Sequence, residues 1–114
     1  MHLDVLDNQK TDLLIDLVAL ATAVPREALK TRSRGEAETA RARQIAMYLS
    51  HVSYGYSLAK VGALFGRDKS TVGHAVRQIE DLRDSDQFEE WIAELETVLS
   101  VQKRLEAGRR LCPV

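Results

Sequence analysis

The sequence predicts an all-α fold of five to six helices in a single domain, and three observations carry that reading. Apolar residues recur at intervals of three and four along every long segment, the period of one helix face, and no segment alternates with the period of two that marks a strand. Pro25, Gly35, Gly55 and Gly66 separate those segments, each where a chain reversal is needed. With 114 residues, 45% of them hydrophobic and 29% charged, the chain can bury one core and is short for two. The domain is therefore placed over residues 1–114, with its core between about 11 and 99.

Leu13, Leu14, Leu17, Val18, Ala21 and Val24 form the first stripe, which predicts an amphipathic helix from Gln9 to Ala23. Pro25 closes it and opens a short turn, Pro25 to Lys30, because a missing N–H costs nothing at a first helical position. The connector Thr31-Arg32-Ser33-Arg34-Gly35 lacks periodicity and carries two arginines, the composition of a basic arm or of a solvated loop. From Glu36 to His51 a second long helix is predicted, with Ala42, Ile45, Ala46, Leu49 and Val52 on its inner stripe and Arg41, Arg43 and Gln44 outside it.

Ser53 to Tyr56 reads as a turn, and Ser57 as the N-cap of a short helix facing the core through Leu58, Val61, Leu64 and Phe65. Gly66 ends that helix. Asp68 caps the next, whose inward side is Val72, Ala75, Val76, Ile79 and Leu82 and whose outward side is Ser70, Thr71, His74, Arg77 and Gln78. A last helix runs from about Asp86 to Arg104 on Phe88, Trp91, Ile92, Leu95, Val98 and Leu99, with Glu89, Glu90, Glu94 and Glu96 on a solvated face. Tyr54 and Tyr56 are expected to cap the core, and Leu13, Leu14 and Leu17 leave room for a homodimer.

Two short helices joined through a glycine make a helix-turn-helix over residues 57–83. In such a motif the first turn of the second helix must present polar side chains to base edges, with no apolar residue among them. Lys69, Ser70, Thr71 and His74 meet that requirement. Lysine reaches guanine acceptors or a phosphate, the hydroxyls bond several base edges, and a helix N-terminus attracts phosphate. Arg67, just before the cap, is placed for a backbone phosphate. Double-stranded DNA is the partner this chemistry suits.

The net charge of −1 argues against nucleic acid only on average. Residues 26–84 hold eleven Lys or Arg against seven Asp or Glu, and the flanking segments are acidic. The basic middle coincides with the motif.

Other chemistries fail on spacing. Gly62 to Ser70 has three residues between its glycines and Arg67-Asp68 before Lys69, whereas a phosphate-binding loop needs four residues and then lysine at once. His2, His51 and His74 are scattered, and the only cysteine, Cys112, has no partner in the chain, so no metal, cofactor or disulfide framework is expected. No nucleophile stands beside a base, and the chain is not expected to be an enzyme. No apolar run approaches the roughly 20 residues that span a bilayer, and no secretion signal opens the chain. A cytoplasmic, nucleoid-associated protein follows as the expectation.

Two blocks carry a family resemblance: Arg43-Gln44-Ile45-Ala46-Met47-Tyr48-Leu49, and Ser57-Leu58 followed by Val61-Gly62 and Phe65-Gly66-Arg67-Asp68-Lys69-Ser70-Thr71-Val72 with His74-Ala75. In this order and spacing they resemble the DNA-box-binding carboxyl-terminal domain of the bacterial replication initiator DnaA, over about Thr11 to Leu99. The resemblance implies that Asp68, Lys69 and Ser70 face bases in the major groove and that Arg34, or Arg32 beside it, enters the minor groove. It implies further that Arg32, Arg43, Gln44, Arg67, Thr71 and His74 hold neighbouring phosphates or bases. Lys69 stands where the family usually has histidine, a second glycine beside Gly66 is missing, and the stretch Gly35 to Ala40 is longer and more acidic than the family pattern. The initiator's nucleotide-binding module is not part of this chain, so the implied function is binding at DnaA-box-like sites without ATPase activity, to regulate replication initiation or transcription. The alternative is a protein-interaction module that contacts DnaA or its regulators, with weak or no DNA binding.

Overall fold

Asp4 starts the first helix. Its carboxylate accepts the Asp7 backbone N–H at 2.8 Å while the Asp7 carboxylate accepts that of Asp4 at 3.3 Å, a reciprocal capping box. Helix α1 therefore runs Val5–Thr22, beginning four residues before the expected Gln9. The computed structural model describes residues 3–31 and 36–113. Over these the chain forms α2 (Arg26–Lys30), α3 (Ala37–Tyr54), α4 (Leu58–Phe65), α5 (Lys69–Leu82), α6 (Asp86–Ala107) and a short 3₁₀ helix, Arg109–Leu111. Among the described residues there is no strand, and no helix is long and apolar enough to cross a membrane.

Helix α3 is the axis of the domain. Seven of the eight residues from Ala42 to Leu49, all but Gln44, are buried, because α1 and α2 cover one side, α4 and α5 another, and α6 a third. Leu14, Ile15, Leu29, Ile45, Leu49, Ile79, Ile92 and Leu99 are fully enclosed, so truncating any of them to alanine costs about 2–5 kcal/mol. Buried Ser50 and Thr11 return their hydroxyls to the carbonyls of Ala46 and Asp7, which removes the penalty of an unpaired polar group.

Several expected faces are turned. In α1 the core side is Thr11, Leu14, Ile15 and Val18, while Leu13 is 49% exposed. The segment is apolar nearly all round, so spacing alone does not choose between Leu13 and Ile15. In α3, Val52 is exposed, and the helix continues through the expected turn to Tyr54, where Gly55 ends it at φ 71°. The α6 acids are not uniformly solvated. Arg83 donates to Glu89 at 2.5 and 2.7 Å, to Glu96 at 3.0 and 3.1 Å, and to the Tyr48 hydroxyl at 2.9 Å. That clamp joins the end of α5 to α6 and α3.

Tyr54 and Tyr56 cap the core as expected. The Tyr54 hydroxyl donates to the Lys10 carbonyl and to Gln102, and the Tyr56 hydroxyl donates to Asp7 at 2.9 Å. Lys60 of α4 stands 3.1 Å from the same carboxylate and 4.2 Å from the Tyr56 ring centre. Burial, then the hydrogen bond to Asp7, pushes the Tyr56 phenol well above its ordinary pKa. The start of α1 is thus tied directly to the start of the helix-turn-helix.

Candidate nucleic-acid interface

Ser57 accepts the Lys60 N–H at 3.1 Å and opens α4 as expected. The helix ends at Gly66, φ 67°, whose own N–H and that of Arg67 both return to the Gly62 carbonyl. The turn folds so tightly onto α4 that a Cβ on Gly62 would stand 2.4 Å from the Arg67 carbonyl oxygen. Two glycines therefore make this turn, Gly66 for its backbone conformation and Gly62 for lack of space.

Asp68 occupies the N-cap position of α5, and its carbonyl accepts the Val72 N–H at 3.1 Å. Its side chain makes no capping bond, which corrects the expectation of a capping carboxylate. The carboxylate is exposed at the helix entrance. Val72, Gly73, Ala75, Val76 and Ile79 are buried, and Lys69, Ser70, Thr71, His74 and Arg77 are exposed, so α5 shows a polar face with no large apolar residue on it. At Gly73 an added Cβ would meet Leu58 at 3.6 Å, an ordinary van der Waals contact, so the packing of α4 on α5 does not itself require glycine there.

Two shallow concavities flank the α5 entrance. One is lined by Gly62, Gly66, Arg67, Asp68 and Thr71. The other joins Ser57, Leu58 and Ala59 at the start of α4 to Lys69, Ser70 and Arg77. Arg77 lies two turns beyond Lys69 on the same side of α5. Its spacing from Lys69 was the available sequence signal, but the residue was read only as part of the outward face.

Arg43 lies elsewhere than expected. It is 6% exposed, and its Nε and Nη2 donate to the Leu29 and Ala28 carbonyls at 3.3 and 2.9 Å. Burial, followed by the charge of Arg67, lowers its pKa from the ordinary arginine value. The sequence sets Arg43 outside the α3 stripe, and arginine is rarely buried, but the carbonyls at the end of α2 supply the partners that allow it. Gln44 is half-buried and accepts from Arg41 at 3.0 Å. Arg67 donates through Nη2 to the Thr31 carbonyl at 2.5 Å, so it holds the end of α2 as well as opening the turn. Arg32 and Arg34 lie outside the described residues.

The profile of the bacterial DnaA protein helix-turn-helix matches residues 11–79, more than half the chain, and takes in α4, the turn and α5 up to Ile79. The chain belongs to the bacterial DnaA helix-turn-helix family. Among curated relatives, the chromosomal replication initiator proteins DnaA of Rickettsia canadensis, Rickettsia rickettsii and Rickettsia conorii are each 49% identical to it over 55 residues. The match covers 47% of this chain and 12% of each DnaA relative. The match thus spans only a small part of the length of those proteins. Among the described residues no group of His, Cys, Asp or Glu is arranged to hold a metal ion.

Proposed function

We propose that this chain is a sequence-specific double-stranded DNA-binding module that reads DnaA-box-like sites and regulates replication initiation or transcription without ATPase activity. The observation that carries the reading is the exposed, wholly polar first turn of α5, Lys69, Ser70 and Thr71 with His74, in a chain of the DnaA helix-turn-helix family. Asp68, Lys69 and Ser70 face bases in the major groove, and Arg34 reaches bases from the arm. Arg32, Arg67, Thr71 and His74 meet backbone or neighbouring groups, while Arg43 and Gln44 support them from α3. Arg77 and the start of α4 add a phosphate contact to that set.

Fluorescence anisotropy with a DnaA-box duplex and a scrambled duplex tests this. Lys69→Ala and Ser70→Ala should each narrow the preference for the box by about 1–3 kcal/mol, the value of a good base contact. Equal binding of the unmodified chain to both duplexes would overturn sequence-specific reading.

The net charge of −1 favours a second reading, a protein-interaction module that meets DnaA or its regulators through the same fold. Capture of the initiator by a chain that leaves box DNA unbound at moderate salt would decide for it.

A further inference from the structure

Helix α6 has two apolar faces. Ile92, Leu95 and Leu99 are buried in the core, whereas Val98, Val101 and Leu105 lie on the adjacent face, Val98 50% and Leu105 71% exposed. At 3.6 residues per turn Glu94 shares that face, and Arg109, in the 3₁₀ helix just beyond α6, lines a shallow groove with Gln102 and Leu105 at its far end. Across a shallow groove stands α1 with Leu13, Leu17 and Leu20, the last of these 83% exposed. Leu6, Leu13 and Leu20 recur every seven residues, the interval of a helix–helix seam. Exposed leucines grouped this way on a small domain mark a face that another surface covers.

The α6 strip has a chemical palindrome. Reversed about the midpoint between Val101 and Gln102, Val98 exchanges with Leu105 and Glu94 exchanges with Arg109. A two-fold axis through that midpoint lays α6 of one copy antiparallel along α6 of another. Val98 of one copy then meets Leu105 of the other, Val101 lies beside the axis next to Gln102, and an acid meets a base at both ends. We propose that the α6 strip, flanked by α1, is an isologous homodimer interface whose occupant is a second copy of this chain. Leu14, one of the leucines first considered for such a contact, belongs instead to the core, and Leu20 takes its place.

The interface leaves the recognition helix free. Helices α4 and α5 pack on α3, and α1 and α6 contact each other and α3 from its other sides. A dimer would therefore carry two outward-facing α5 helices, whatever sequence each one reads.

Sedimentation equilibrium of the full chain from about 1 to about 100 μM tests the proposal. The unmodified chain should pass from monomer to dimer over that range. Leu105→Glu should weaken self-association by at least about tenfold while far-ultraviolet circular dichroism stays unchanged, because the side chain is exposed before association. Glu94→Arg and Arg109→Glu should each weaken it about tenfold, and the double variant should recover to within about threefold of the unmodified chain. A chain that stays monomeric throughout, a dimer indifferent to Leu105→Glu, or a double charge variant as weak as either single one would each overturn the proposal.

Discussion

The Arg67 guanidinium stands 2.5 Å from the carbonyl oxygen of Thr31, so the residue that opens the recognition turn also holds the end of α2. Arg43 does the same from α3 through the Ala28 and Leu29 carbonyls. Two cations thus close a helix terminus whose carbonyls have no intrahelical partner and carry the negative end of the helix dipole. Arg43→Leu takes the side-chain donor from the Leu29 carbonyl and leaves the Ala28 carbonyl with the Thr31 hydroxyl alone, and should cost about 1–3 kcal/mol. Arg43→Lys, lacking the planar fork, should recover only part of that. Arg67→Ala, at a more exposed bond, should cost about 1 kcal/mol. Urea unfolding followed by circular dichroism measures all three; an unfolding midpoint for Arg43→Leu equal to that of the unmodified chain would contradict the buried role.

The glycines at the two turns should respond in opposite order to their backbone angles. Gly55 has φ 71°, but an added Cβ would meet nothing within 4 Å, so Gly55→Ala should cost about 1 kcal/mol of strain. Gly62 sits in ordinary helix, yet its Cβ would collide with the Arg67 carbonyl, so Gly62→Ala should cost about 3 kcal/mol. Thermal melts of the two variants settle the order. A more damaging Gly55 substitution would show that the turn yields easily.

In the proposed reading, Arg77 meets a phosphate and reads no base. Its alanine variant should lose affinity equally for box and scrambled duplexes and lower the log–log salt slope by about 0.9, with no change in melting temperature. Loss of preference for the box alone would instead make Arg77 a base reader.

Stability should fall with acid at two places. Hydrogen bonds from Arg83 hold the Glu89 carboxyl below its ordinary 4.5, against a smaller opposing effect of burial. Burial pushes the Asp7 carboxyl up, but hydrogen bonds from Lys60, Tyr56 and the Asp4 N–H together hold it below its ordinary 3.8. A carboxyl with a depressed folded pKa binds protons more tightly when unfolded. Its contribution is complete above the ordinary value and is lost as pH falls through the folded one. Urea midpoints should therefore drop as pH is lowered through the ordinary carboxylate values, and Arg83→Met and Lys60→Met should each flatten that decline. An unchanged pH profile in both variants would remove these two carboxylates as its source.

The helix-turn-helix was legible because its signals are local. Ser57, Gly66 and Asp68 mark boundaries through the backbone positions they occupy, and the α5 stripe has one apolar face and one polar face. The misread positions depend on partners that the tertiary fold supplies. Arg43 is buried only because α2 turns its carbonyls toward α3, and Glu89 and Glu96 meet Arg83 only once the chain has turned from α5 into α6. Leu13 and Ile15 could not be ranked, since α1 is apolar around most of its circumference and the packing of α3 and α6 selects the inner side. Legibility ended where the fold, and not the adjacent residue, supplied the partner.

Several cations of the basic middle segment are already matched within the domain: Arg26 to Asp12 and Asp16, Lys30 to Asp12, Lys60 to Asp7, and Arg83 to Glu89 and Glu96. In the proposed reading, the charge left beside the recognition helix displaces few counterions, so duplex of arbitrary sequence holds the chain only briefly. Such a module searches a chromosome by repeated collision and release more than by sliding. Its occupancy of a target then depends on how well that target fits α5, and little on how much other DNA surrounds it.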